Sequence, residues 1–300
     1  MRIGTQLHKE LLCEAFIAAH RPYEPSTLDW PTLDGDTLAL LRGLPFWTHA
    51  LQAEEDAGPM IAAVAERERD PLVRRALELQ SYEESRHARI LRHMFALYEL
   101  PYEEPAVAVP ADAVTAFADF GFEECLDSFG AFGLFKLARE HTLVPEGLFA
   151  IFDRVMQEEA HHITFFVNWF AYSQAQGGIV GRALRRPRSL RHYGRALWKL
   201  VDLVRDDSGP EGRDFVVTGA ASFVDGLTPA RVITACLEEN ERRLAHVDRR
   251  LLVPTLVPSV ARLGDAVLRI ARPLRREEAA KEPTPRSPEA AVDHDERLAG

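Results

Sequence analysis

The chain has 300 residues, 46% of them apolar and 27% charged, the balance of a soluble globular protein of one large or two modest domains. Its 46 acidic and 36 basic residues leave a net charge of −10, which excludes a general nucleic-acid binder, since such proteins carry a basic surplus. Three scattered cysteines, Cys13, Cys125 and Cys236, form no CxxC pair, which excludes a disulfide framework and a cysteine zinc site and fits a reducing, cytoplasmic setting.

The first residues, MRIGTQLHKELLCEAFIAAH, are interrupted by His8, Lys9, Glu10 and Glu14, so they do not read as a secretory signal. No run of about 18 apolar residues offers a transmembrane helix. Apolar residues recur three and four apart along most of the chain, which predicts an all-α protein. Residues 1–43 read as a helical lead-in and a proline-bearing loop. Residues 44–177 read as four long helices. The first starts near Pro45 and contains Pro59, which predicts a kink just past Glu54 and Glu55. Asp70-Pro71 opens the second, which runs to about Tyr98 before Pro101. Asp112 caps the third, to about Thr142, and Pro145-Glu146 opens the fourth, which ends at Gly177-Gly178. Short joins make the first and second, and the third and fourth, antiparallel pairs. The proline-punctuated stretch at 101–112 is different: extended, it reaches roughly 40 Å, about the length of a 27-residue helix. It can therefore cross the whole bundle, the single-crossover topology of ferritin-like bundles. Beyond 178, helices are expected at 189–206, 229–250 and 258–272 as a C-terminal extension, and 273–300 reads as a disordered tail.

The chemistry lies in the second and fourth bundle helices. One contains Glu84-x-x-His87; the other contains Glu158-x-x-His161 and, one step on, Glu159-x-x-His162. Residues three apart share a helix face, so each pair can hold a metal ion. ExxH alone is a weak signal; the arrangement is specific. Glu54 precedes Glu84 by 30 residues, and Glu123 or Glu124 precedes Glu159 by 36 or 35. Antiparallel hairpins of that length bring such residues level. One Glu from each of two helices plus one ExxH from each of the other two is the dinuclear carboxylate pattern, and its oxygen and imidazole donors suit iron, or alternatively manganese. The adjacent alternatives Glu54/Glu55, Glu123/Glu124 and Glu158-His161/Glu159-His162 are decided by helix face. Glu54 shares a face with Trp47, Leu51 and Ile61, Glu124 with Phe117 and Phe120, and Glu159 and His162 with Val155, Ile163 and Phe166. The preferred ligands are Glu54, Glu84, His87, Glu124, Glu159 and His162.

On these residues the stretch 44–176 resembles the ferritin-like di-iron carboxylate superfamily, with ExxH motifs similar to those of bacterioferritins, rubrerythrins and demethoxyubiquinone hydroxylases. The resemblance implies two iron ions, reaction with dioxygen or peroxide, and oxidation or hydroxylation of a small apolar organic substrate. No flavin, nicotinamide or iron–sulfur motif is visible, so an external electron donor is expected. The missing CxxC pair and the long C-terminal extension set the chain apart from rubrerythrin-type peroxidases and from storage cages. A ferroxidase or peroxide scavenger, a dimanganese catalase-like centre and a metal-free scaffold remain as alternatives. The phenylalanines of the third and fourth helices either line a substrate cavity or fill the core, and Gly130 and Gly133 either admit a neighbouring helix or leave room for substrate. Asp127, one turn after Glu124, is a candidate to orient a ligand histidine. The arginines of 182–195 and Glu238, Glu239 and His246 read as surface. The C-terminal helices cover the bundle, bind a partner or form a homodimer contact.

Overall fold

Helix starts follow from side-chain caps. Asp34, Asp70, Asp112 and Thr228 each accept a hydrogen bond from a backbone N–H of the first turn, satisfying groups that the helix itself leaves open. The computed structural model describes residues 1–44, 46–206 and 227–279, and among these the chain is all-α, with nine α-helices, one short 3-10 turn and no strand. They are α1 (Gln6–Ala19), α2 (Gly35–Gly43), α3 (Trp47–Arg67), α4 (Pro71–Tyr98), α5 (Ala113–Glu140), α6 (Glu146–Gln176), α7 (Gly178–Asp206), α8 (Pro229–Leu244) and α9 (Leu256–Ala279).

Helices α3, α4, α6 and α5 close a ring in which each packs on two others. Three residues join α3 to α4 and five join α5 to α6, so both pairs are antiparallel. The connection after α4 climbs the length of α3: Glu103 N–H donates to Thr48 Oγ1 (3.1 Å), Ala106 N–H to Gln52 Oε1 (3.1 Å), and Arg67 reaches Ala111 O (3.3 Å). Consequently α5 begins level with the start of α4 and runs parallel to it. The other helices lie outside this ring. α1 packs on α4 and α6, α7 on α5 and α6, and α8 chiefly on α5.

Two apolar clusters fill the ring. One gathers Ile61, Leu77, Phe117 and Phe166 with Leu12, Cys13 and Phe16 of α1. The other gathers Leu51, Leu91, Met94 and Phe95 toward the opposite end of α3 and α4. Glu54, Glu84 and His87 fall between them along those two helices. The phenylalanines belong to the core: Phe117, Phe122, Phe132, Phe165 and Phe166 are all buried, and Phe122 meets Phe166 and Phe170 edge-on at 5.0 and 4.9 Å between centroids.

Several boundaries differ from expectation. Pro45 lies outside the described residues, and α3 starts at Trp47 and contains Pro59, as expected. Helix α7 starts at Gly178 rather than 189 and passes through Pro187; its arginines, leucines and alanines are strong helix formers, and the carbonyl that Pro187 leaves unbonded belongs to exposed Ala183. Helix α8 stops at Leu244, where Asp248 and Arg250 close a turn. Helix α9 runs to Ala279, into the stretch expected to be disordered, and 280–300 lie outside the described residues. Residues 1–43 are more than a lead-in, since α1 contributes to the core.

Gly133 is where α5 and α8 touch. A Cβ there would stand 2.2 Å from Cys236 Sγ and 2.7 Å from the Cys236 backbone, whereas a Cβ at Gly130 would meet nothing within 4 Å. Gly133 therefore admits a helix, not a substrate. Gly133→Ala is expected to cost about 1–3 kcal/mol by forcing the helices apart, and Gly130→Ala to stabilise by about 0.5–1 kcal/mol through helix propensity. Urea unfolding of both variants checks this; equal and favourable effects at the two positions would contradict the close packing.

Candidate metal centre

The sequence Glu83-Glu84-Ser85-Arg86-His87 on α4 faces Glu158-Glu159-Ala160-His161-His162 on α6. One ligand atom from each of Glu84, His87, Glu159 and His162 lies within 4.8 Å of all the others, and all four residues are buried. The pairing crosses between helices: His87 Nδ1 is 2.9 Å from Glu159 Oε1, and His162 Nδ1 is 3.1 Å from Glu84 Oε1. Glu54 of α3 approaches from the side, with Oε2 3.4 Å from His87 Nδ1. Glu124 of α5 faces the same carboxylates, Glu159 first.

The neighbouring alternatives point elsewhere. Glu55 pairs with Arg92 (2.5 Å) and Glu123 with Lys199 of α7 (2.6 Å). Glu158 is drawn into the cluster without occupying its centre, and His161 turns aside to Gln157 (3.3 Å). The six residues preferred from the sequence are thus brought to one place between the two apolar clusters; of their adjacent rivals only Glu158 joins them, from behind His87.

Glu158, an alternative ligand in the sequence reading, and Glu83, which that reading missed, hold the histidines from behind. His87 Nε2 meets Glu158 Oε2 at 2.8 Å, and His162 Nε2 meets Glu83 Oε2 at 2.9 Å. Each ExxH is thus preceded by the glutamate that holds the other helix's histidine. A carboxylate on Nε2 keeps the proton there and turns Nδ1 inward as a lone-pair donor. These glutamates are themselves held. Arg86, fully buried, bonds Glu158 Oε1 at 2.7 Å and approaches Glu83 Oε1 at 3.6 Å. Tyr23 donates to Glu158 (2.9 Å), and the His20 ring meets Glu83 (2.5 Å). The signal was present as a doubled Glu-Glu-x-x-His. Asp127, the expected orienting residue, is exposed and takes no part. Glu239 also departs from expectation: it is buried and pairs with Arg243 and Arg242.

Protonation follows from burial and charge. Burial pushes the Glu54 carboxyl up to about 8, and the charges of Glu159 and Glu84 add to the rise. Burial, then the same two carboxylates, hold Glu124 well above its ordinary value. Burial opposes ionisation of Glu159, yet the His162 and His87 imidazoles outweigh it and hold Glu159 well below. Burial likewise disfavours charged His87 and His162, but the surrounding carboxylates raise both well above the ordinary imidazole. The whole cluster favours added positive charge.

Three buried atoms at its centre, His87 Nδ1, His162 Nδ1 and Glu159 Oε2, have no hydrogen-bond partner. Orphaned polar atoms of this kind cost about 1–3 kcal/mol each, and all three are metal donors. The donor set of carboxylates and two imidazoles fits a pair of hard to borderline divalent ions. No protein-family model, curated protein or solved structure matches the chain.

Glu83 gives an acid signature to the metal-free protein. Burial opposes its charge, but the bond to His162 and then His20 bring it from the ordinary 4.5 down to about 2. Its contribution to stability is full above pH about 4.5 and is lost as pH falls toward about 2. Glu83→Gln is expected to be less stable by on the order of 3 kcal/mol at neutral pH, with the two stability curves converging below pH about 4.5. Chemical denaturation of both proteins across that range measures it; a constant gap would contradict the charged Glu83.

Proposed function

We propose that α3, α4, α5 and α6 form a ferritin-like bundle holding two iron ions, and that the protein is a dinuclear non-haem iron oxidase or oxygenase. The observation that carries this reading is the pair of inward, partnerless Nδ1 atoms, each backed by a glutamate from the opposite ExxH helix. Glu54, Glu84 and His87 would hold one ion and Glu124, Glu159 and His162 the other, with Glu84 and Glu159 near enough to both histidines to be shared. Bound iron would supply redox chemistry with dioxygen, using electrons from an external donor.

The chain's own residues set the conditions for that chemistry. Glu158 and Glu83 fix both imidazoles in one tautomer; burial opposes the charge of Glu158, but His87 and then Arg86 hold it below its ordinary value. The apolar clusters on either side exclude water. A cleft of about 120 Å³ opens between α1, α6 and the segment after α8, lined by Leu12, Phe16, His161, Phe165, His246 and Leu251 among others. Phe16 stands between it and the site, its ring 5.9 Å from that of His162. That volume is close to the roughly 150 Å³ cavity that admits benzene. It supports a small, mainly apolar organic substrate rather than metal ions or peroxide alone.

Metal analysis of protein grown in iron-rich medium, beside a His87→Ala/His162→Ala variant, tests the centre. About two irons per chain are expected, absent from the variant; no stoichiometric metal in either protein would overturn the reading. Manganese in place of iron, with peroxide disproportionation, would point to the catalase-like alternative.

Loading must also displace protons. Glu54 keeps its proton to about pH 8, and metal competes for the same oxygens. Metal affinity is therefore expected to rise with pH up to about 8, with proton release seen by titration calorimetry in buffers of different ionisation enthalpy. Uptake without proton release would mean that Glu54 is not a ligand.

A further inference from the structure

Helix α7 turns the wrong face to solvent for a helix that merely covers a bundle. Its packed side is clear: Ala196 is buried, His192 bonds Asp119 and stacks on Phe122, and Tyr193 meets the same ring. The rest of its surface should be polar. Instead Ile179, Leu190 and Leu197, on the flank beside Tyr193, are 80, 59 and 55% exposed. They are spaced 11 and 7 residues apart, whole turns of a helix with about 3.6 residues per turn, so they make one stripe, which Val180 (67% exposed) widens. Arginines rim it. Arg182 and Arg186 lie along one edge and Arg191 along the other, all three exposed and without an acidic partner among the described residues. Helix α9 repeats the pattern with Val260, Leu263 and Val267, spaced three and four and 61, 68 and 56% exposed.

We propose that α7, together with α9, seats the protein on the surface of an anionic lipid bilayer. An outward apolar stripe rimmed by arginine is the form of a helix that lies in the plane of a membrane, its apolar side chains among the acyl chains and its guanidinium groups at the phosphates. Helix α7 carries eight basic and two acidic residues in a chain whose net charge is −10; Arg195 and Lys199 pair inward with Asp119 and Glu123, while Arg182, Arg186 and Arg191 stay exposed. The same charge keeps the helix at the surface: among the described residues no helix is long and apolar enough to cross a membrane. A second copy of the chain is the poorer occupant, because a two-fold contact through this stripe would bring the same arginines together. The seat is independent of whether the bundle binds metal. With the metal reading it would place the bundle where apolar substrates dissolve.

Sedimentation of the full chain with vesicles tests the proposal. The protein is expected to pellet with phosphatidylcholine–phosphatidylglycerol vesicles and to remain in solution with phosphatidylcholine alone. Ile179→Glu/Leu190→Glu should abolish pelleting, and Arg186→Glu/Arg191→Glu should weaken it by tenfold or more, roughly the effect of removing a few basic contacts with the lipid surface. All four positions are exposed, so unchanged thermal unfolding and metal content in the variants separate this result from misfolding and from failure of the metal site. The proposal is overturned if the wild type stays in the supernatant with anionic vesicles, pellets equally with neutral ones, or if the variants pellet as the wild type does. Failure to pellet with a concentration-dependent dimer that the variants lose would assign the stripe to self-association, and failure with a monomer would assign it to cover by residues 207–226.

Discussion

The structure depends on how charged side chains are kept in a place without water. Glu83, Glu84, Glu158, Glu159, Arg86, His87 and His162 are all buried in the middle of one helical ring. Each would cost several kcal/mol if ionised and unpaired, more than a domain of this kind has to spare. Pairing across helices is what makes the arrangement tolerable, and it also ties α4 to α6 where their backbones are otherwise little in contact. The cluster is still not balanced. Its histidines are driven to hold protons, and so are Glu54 and Glu124. Protons occupy the place of positive charge that the carboxylates require, and His87 Nδ1 and His162 Nδ1 face carboxylates of the opposite helix without a well-directed hydrogen bond. That imbalance is what supports the metal reading proposed above.

The two halves of the centre are alike in their glutamates and histidines and unlike one position before each histidine. On α4 that position is Arg86, which reaches both outer glutamates and lies 3.9 Å from the ring centroid of Tyr23. On α6 it is His161, which leaves the network and lines the cleft. One side of the site is therefore closed by a cation held between carboxylates. The other is bounded by Phe16 and Phe165, apolar and next to the cleft. The difference gives the cluster a direction: charge is fixed on the Arg86 side, and the Phe16 side is apolar and lies against the cleft.

The faces of the long helices were legible because apolar neighbours mark them. Glu54 rather than Glu55, and Glu159 rather than Glu158, follow from which residue shares a line with Leu51 or Phe166. The length of the connection at 101–112 was legible as reach, and it runs along α3. What escaped was everything set by contacts across helices. Glu83 and Glu158 are about 100° around their helices from Glu84 and Glu159, off the face that periodicity picks out, and they matter only because the opposite histidine stands beside them. Asp127 has the right chemistry one turn from Glu124, but no histidine faces it. Glu239 looked like surface because its partner Arg243, buried with its guanidinium 5.3 Å from the ring centroid of Phe132, is itself an unusual core residue. The early start of α7 was hidden by Pro187, whose cost falls on an exposed turn.

The amino-terminal segment shows why the ring cannot be considered apart from its surroundings. Phe16, His20 and Tyr23 come from within or just after α1, and each touches a different member of the centre: His162, Glu83 and Glu158. Helix α1 lies over the groove between α4 and α6, the seam at which the two ExxH helices meet. Without it, Glu83 and Glu158 would face water and bind their histidines in competition with solvent, so the tautomers would be less firmly held. The wall that gives the histidines their direction is thus supplied by residues outside the motif-bearing helices. The two ExxH motifs can be read from two helices, but the dryness around Glu83 and Glu158, on which the direction of the imidazoles depends, is a property of the third layer laid over them.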